Sequence, residues 1–261
     1  MEGYIDQWAI VTGASTGIGA QIALDLARKG MNLVIVARRE ALLQTLQREI
    51  EALGRNCKVC VLDLADITSV NHLKSFILSE GIVPYVVVNN AGVGLFGEFM
   101  SSSFEEMSQM LTLNVNTLTY ISREIGAMIP QGGHLMLVAS TICYIPTPMY
   151  SVYAASKSYV HSFGYSLAYE LSPKVSVTTL YPGMTDTEFF DTCHHKVAPW
   201  LKSIMMYPAD YVAKKGVEGM LKRRPRVIAG TLNKLMAALS LVTPDWLNRG
   251  MLYHLFRIAK T

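Results

Sequence analysis

At 261 residues, with 51% hydrophobic and only 16% charged side chains, the chain is too apolar for a disordered polypeptide and long enough for one large α/β domain. A net charge of +3, scattered apart from Lys222-Arg223-Arg224-Pro225-Arg226, leaves no nucleic-acid footprint, and that cluster reads as a solvated helix end. Four cysteines make no disulfide framework, residues 1–6 lack a signal-peptide pattern, and no run has the length of a membrane span, so a soluble, cytoplasmic protein is expected.

In chain order, apolar runs at 8–12, 32–37, 57–62, 85–89, 134–140, 175–181 and 226–229 predict strands, and helical patterns fill 17–29, 40–53, 67–80, 103–129, 153–171 and 208–221. Several strands, such as Val86-Val87-Val88, are continuously apolar, as in a parallel sheet buried on both faces. The expected fold is therefore α/β: a Rossmann-type doubly wound parallel sheet of about seven strands, helices on both faces, in a single domain. Residues 1–230 form that domain in this reading, and 231–261 a carboxyl-terminal helical extension packed on it, two short apolar helices split at Pro244.

The first strand runs into Gly13-Ala14-Ser15-Thr16-Gly17-Ile18-Gly19 and then a helix. Such a turn brings backbone amides and the positive helix end to a diphosphate. Its spacing is Gly-x-x-x-Gly-x-Gly, not the common Gly-x-Gly-x-x-Gly. The second strand ends at Arg38-Arg39, where an acid would suit the ribose hydroxyl of NAD; arginine instead suits the 2′-phosphate, which favours NADP(H) over NAD(H). Asp63, with Leu64 beside it, is placed for the adenine ring. Cys57-Lys58-Val59-Cys60 has metal-like spacing without a second pair, so a buried structural role is expected. Cys193-His194-His195 lacks a spaced partner pair as well.

Ser140, Tyr153 and Lys157 suggest chemistry. A phenol, with an ordinary pKa of about 10, needs help to exchange protons near neutrality. An ammonium one helical turn away favours the phenolate, and a serine hydroxyl can hold a substrate oxygen. Alone, Tyr-x-x-x-Lys reads first as a surface helix pair. Beyond it, 184–207 is an irregular insertion and a candidate lid, while Pro146 and Pro148 mark a loop after the fifth strand.

The ordered set of the glycine turn, Asn89-Asn90-Ala91-Gly92, Asn114, Ser140, Tyr153, Lys157 and Pro182-Gly183 resembles the short-chain dehydrogenase/reductase family over about residues 5–230. The resemblance implies NAD(P)-dependent carbonyl/alcohol chemistry. It makes Tyr153 the general acid or base, Lys157 the group that lowers the tyrosine pKa and holds the nicotinamide ribose, Ser140 the group orienting the substrate oxygen, and Asn114 the anchor of a relay water. Asn90, Ala91 and Gly92 would border the adenosine ribose, and Pro182, Gly183, Thr185 and Thr187 would flank the nicotinamide. Two features depart from the pattern. Thr16 stands where some NADP-using members carry a basic residue, and the tail exceeds minimal family length, similar to a bacterial subgroup of generic reductases.

Met149, Tyr150, Met184, Phe189, Phe190 and Trp200 suggest an apolar carbonyl substrate, with Lys196 and Lys202 the only candidates for a carboxylate anchor. A nucleotide-sugar epimerase or dehydratase is the alternative enzyme, although only 78 residues follow Gly183; a non-catalytic NADP-binding regulatory protein is the alternative outside enzymes. A homodimer or homotetramer through 103–129 and 153–171 is implied by the resemblance, and peripheral membrane contact by the tail is the less favoured role for that segment.

Overall fold

The computed structural model describes residues 4–193, 195, 198–240, 242–244 and 250 of the chain. Its first half alternates strand and helix: β1 (Trp8–Thr12), α1 (Gly17–Arg28), β2 (Asn32–Ala37), α2 (Glu40–Ala52), β3 (Cys57–Val61), α3 (Ser69–Ser79) and β4 (Pro84–Asn89). The second half adds α4 (Phe104–Leu111), α5 (Leu118–Glu124), β5 (His134–Val138), α6 (Ser151–Glu170), β6 (Ser176–Tyr181), β7 (Thr185–Asp186), α7 (Phe189–Thr192), α8 (Pro199–Met205), β8 (Tyr207–Pro208), α9 (Ala209–Leu221), β9 (Arg226–Ile228) and α10 (Thr231–Ser240).

Seven strands form one sheet in the order β3-β2-β1-β4-β5-β6-β9, every pair parallel. Side chains alternate between two cores. Ala9, Val11, Leu33, Ile35, Val86 and Val88 face a layer built by α1, α2 and α9; Ile10, Val34, Val36, Val87, Leu135 and Leu137 face α3, α5 and α6. Full burial of each Val, Leu or Ile stabilises by about 1.5–3 kcal/mol. The whole range of strand propensity is only about 1 kcal/mol, so burial rather than propensity sets the register. The order reverses between β1 and β4, which opens a crevice at the carboxyl ends of the strands.

Three segments depart from the sequence reading. The single helix expected over 103–129 is broken by a π-helical turn at Thr112–Thr117, which carries Asn114, and it ends in a 3₁₀ turn at Gly126–Met128. The segment 184–207 is less irregular than expected: β7 and β8 pair in parallel and clip its two ends together, with α7 and α8 between them. Helix α6 begins at Ser151 rather than 153, so Tyr153 sits in its first turn. Cys57 and Cys60 lie buried in β3, where burial pushes their thiols up to about 12 and about 11. Among the described residues no helix is long and apolar enough to cross a membrane. The second tail helix, His194 and Lys196 lie outside the described residues.

Candidate active site

A cleft of about 950 Å³ runs along the carboxyl ends of the strands. One half of it is the glycine turn. Gly13 and Gly17 take φ values of +64° and +60°, which a side chain resists. A Cβ on Gly17 would lie 2.9 Å from Thr187 Cγ2, so the turn and the start of the 184–207 segment are in contact. Thr12 Oγ1 accepts from the amides of Asn90 and Ala91, while Asn90 Nδ2 donates to the carbonyls of Thr12 and Gly13; this pins the turn to the end of β4. Helix α1 starts at Thr16 without a side-chain cap, so its first-turn amides are available to an outside acceptor. Gly13, Ser15, Thr16, Gly17, Ile18, Arg38, Arg39, Asp63, Leu64, Asn90, Ala91, Gly92, Pro182, Gly183, Thr185 and Thr187 line the cleft. Gly19 sits behind the turn, packed against the Gly13 carbonyl and Asn90. Uncapped amides, close-packed glycines and two arginines at the end of β2 fit a dinucleotide.

The other half gathers Ser140, Tyr153 and Lys157. Ser140 caps a 3₁₀ turn after β5, its hydroxyl accepting from the Ile142 amide. Tyr153 is 7% and Lys157 5% exposed, so both polar tips are held inside the protein. Lys157 Nζ donates to the Val138 carbonyl at 2.9 Å and stands 5.9 Å from the Tyr153 ring centre. Burial pushes the tyrosine phenol up, and the nearby Ser140 hydroxyl, which donates to the Pro182 carbonyl at 3.4 Å, opposes that shift. Burial likewise brings the Lys157 ammonium down to about 8. Asn114 is fully buried: Oδ1 accepts from the Val93 amide, and Nδ2 donates to the Val93 carbonyl and to Ser156 Oγ. Ser156 Oγ in turn donates to the Tyr153 carbonyl, which ties the π turn to α6.

Beyond Tyr153 the wall is aromatic. Phe189 lies 5.4 Å from the Tyr153 ring and Tyr150 5.8 Å, and both line the cleft with Phe190 and Met184. Two expected residues are absent from that lining. Met149 is buried beside it at φ +68°, its carbonyl accepting from Gly97, and Trp200 is 57% exposed. Lys202 does not line it either. Three polar lining residues make contacts that the sequence did not announce. His195 Nδ1 is 2.6 Å from the Tyr150 hydroxyl, with its ring stacked on Phe96 at 4.0 Å, and burial brings its pKa down to about 4. Asn233 of α10 lies directly over Gly183. Glu188 Oε2 pairs with Arg39 Nη1 at 2.7 Å. Each contact spans a long stretch of chain, so no local spacing announces it; Glu188 follows Thr187 immediately, its one sequence cue.

The short chain dehydrogenase family model matches residues 7–198, and the chain belongs to that family. Relatives and solved structures it resembles are named oxidoreductases and dehydrogenases. It is 35% identical over 191 residues to a probable oxidoreductase, EphD, of Mycobacterium tuberculosis, covering 72% of this chain and 32% of that protein. The chain thus spans about a third of the length of that mycobacterial relative. It is 27% identical over 235 residues to 17-beta-hydroxysteroid dehydrogenase type 3 of Mus musculus, covering 88% of this chain and 76% of the other. Among solved structures, a short-chain dehydrogenase from Sphingobium yanoikuyae in complex with NADPH superposes with a TM-score of 0.77 at 27% identity, over 85% of this chain and 87% of that one.

Proposed function

We propose that the chain is an NADP(H)-dependent reductase of apolar ketones or aldehydes, able to oxidise the matching secondary alcohols, with Tyr153 as its acid/base. The observation that carries this reading is the paired burial of Tyr153 and Lys157, with Ser140 lining the same cleft, at the catalytic end of the dinucleotide-shaped cleft. The bound reduced dinucleotide supplies the hydride. The protonated phenol donates to the carbonyl oxygen in reduction, and the phenolate takes the proton back in alcohol oxidation. Ser140, which lines the cleft with Tyr153, orients that oxygen. Lys157 uses one proton on Val138, and its remaining two serve the ribose hydroxyls and the path that reprotonates Tyr153.

Arg38 and Arg39 support the preference for the 2′-phosphate. Phe189, Phe190, Met184 and Tyr150 support an apolar substrate, in keeping with the steroid named for the mouse relative. Asn114 is the anchor of the relay water, residues 1–230 are the catalytic unit, and 231–261 is an extension of it. Free thiols at Cys57, Cys60, Cys143 and Cys193 support a reducing, cytoplasmic setting. Exposed Phe104 on α4 and Tyr159, Tyr165 and Tyr169 on α6 support a homodimer or homotetramer through those helices; light scattering of the pure chain returning a monomer mass would end that assignment.

The decisive experiment is Tyr153→Phe. Losing an acid/base group costs about 10²–10⁴-fold in kcat. NADPH affinity, measured by calorimetry, should stay within a few fold. Full turnover in that variant would remove Tyr153 from the chemistry.

A further inference from the structure

The two guanidiniums at the end of β2 are held differently. Arg38 is 65% exposed and meets Asp63 at a loose 3.8 Å. Arg39 is fully engaged: Nε and Nη2 donate to Ser15 Oγ at 3.3 and 3.0 Å, Nη2 to Thr16 Oγ1 at 2.8 Å and Nη1 to Glu188 Oε2 at 2.7 Å. Thr16 Oγ1 donates to the same carboxylate oxygen at 3.3 Å. Three segments distant in sequence therefore meet at one point: the glycine turn, the β2–α2 connection and the entry to α7. Next to Glu188 is Phe189, whose ring packs on Tyr153. The clasp thus joins the cofactor half of the cleft to the wall of the catalytic half.

Its strength decides what it can do. The side chains of Arg39 and Glu188 are 48% and 52% exposed. An ion pair that open to solvent contributes about 0–1 kcal/mol, so it yields to a stronger anion. A phosphate monoester carries a charge of about −1.5 to −2 near neutral pH and three acceptor oxygens, and it matches the guanidinium fork better than one carboxylate oxygen does. A dinucleotide without the 2′-phosphate brings no such competitor to the end of β2.

We propose that Glu188 is a coenzyme-selecting residue: its carboxylate holds Arg39 across the glycine turn until an adenosine 2′-phosphate takes the guanidinium, and the exchange releases the entry to α7. The proposal rests on the NADP(H) reading above. Glu188 therefore opposes the very anion that Arg39 recognises, and it sets how strongly the protein separates the two dinucleotides. Removing its charge sharpens the separation.

The test is the dissociation constant of NADPH and of NADH, measured by calorimetry on the wild type, Glu188→Gln, Arg39→Ala and the double variant. Glutamine keeps the shape of the side chain at an exposed site, and thermal unfolding verifies that each variant folds. Glu188→Gln should tighten NADPH about threefold to fivefold, the equivalent of up to about 1 kcal/mol, and leave NADH unchanged or weaker. In the Arg39→Ala background the same substitution should change nothing. Equal tightening of both dinucleotides, an unchanged NADPH constant, or an effect that persists without Arg39 each overturns the exchange. A wild type that binds NADPH and NADH alike overturns the NADP(H) reading and the exchange with it, whereas a preference for NADPH that Glu188→Gln leaves untouched overturns the exchange alone.

Discussion

A methyl group at position 92 would lie 3.0 Å from Asn114 Oδ1 and 3.3 Å from Lys157 Nζ. Both atoms flank the same small space, and a hydrogen on Gly92 leaves it open. Gly92 does not take a left-handed φ, so alanine is compatible with the backbone there. The contacts are tight, and a shift of a few tenths of an ångström relieves them. The proton path proposed between Asn114, a water and Lys157 is less tolerant, because the methyl occupies the space the water would need. Gly92→Ala should therefore lower kcat about tenfold, or ~1.4 kcal/mol of barrier, while the unfolding midpoint moves little. Steady-state kinetics beside urea unfolding separates the two; a large stability loss with unchanged kcat would remove the relay assignment. The same scale explains what the sequence displayed of the site. Ser140, Tyr153, Lys157, Asn114 and the glycine turn are legible because each occupies a characteristic place relative to a strand end or helix start. Glu188, His195 and Asn233 are not, since their partners Arg39, Tyr150 and Gly183 lie 149, 45 and 50 residues away and are brought near by tertiary packing alone.

At the scale of elements, the parallel strands were readable because burial on both faces writes itself as uninterrupted Val, Ile and Leu. The π turn at Thr112–Thr117 was not, because six residues are too few to show a period of their own. The β7–β8 clip has only two residues per strand and carries no periodicity. Helix α10 was expected to pack on the domain, and its position over the Pro182-Gly183 turn is an element-level contact with a testable signature. Asn233 Nδ2 donates to the Ala229 carbonyl at 2.7 Å, and a Cβ on Gly183 would overlap the Asn233 side chain. Gly183→Ala should cost about 1–3 kcal/mol as an overpacked contact. Asn233→Ala should cost about 1 kcal/mol for its hydrogen bond. Combined, they should cost less than their sum by about 0.5–3 kcal/mol, because the shortened side chain makes room for the methyl. Denaturant unfolding of the four proteins measures that coupling, and strict additivity would mean that α10 does not rest on Gly183 as the structure has it.

For the molecule as a whole, one source of acid sensitivity sits at the end of the sheet opposite the cleft. The cleft lies at the carboxyl ends of the strands, whereas His134 opens β5 at the amino ends, opposite Val86 and Ser176. His134 is 1% exposed, sits among Tyr4 and Tyr85, and neither ring nitrogen has a hydrogen-bond partner among the described residues. Burial, and after it the charge of Arg223, brings its pKa from 6.5 down to about 4. The unfolded chain therefore takes up a proton near pH 6.5 that the folded protein refuses until about pH 4. Between those values the unfolded state binds more protons, so stability falls as the pH drops through this window. The contribution is fully present above pH 6.5 and amounts to about 3 kcal/mol over the whole interval. His195, also near 4 by burial, acts in the same direction from the cleft side, so part of the acid sensitivity persists without His134. A His134→Leu variant loses no hydrogen bond and cannot take up the proton in either state. Its urea-unfolding free energy should therefore fall about 2–3 kcal/mol less than that of the wild type on going from pH 7 to pH 4.5. Kinetic constants at pH 7 should stay unchanged, since no residue of the cleft is touched. Parallel losses of stability in the two proteins would show that His134 is protonated as readily in the folded state as in the unfolded one, and that the acid response of the fold originates elsewhere.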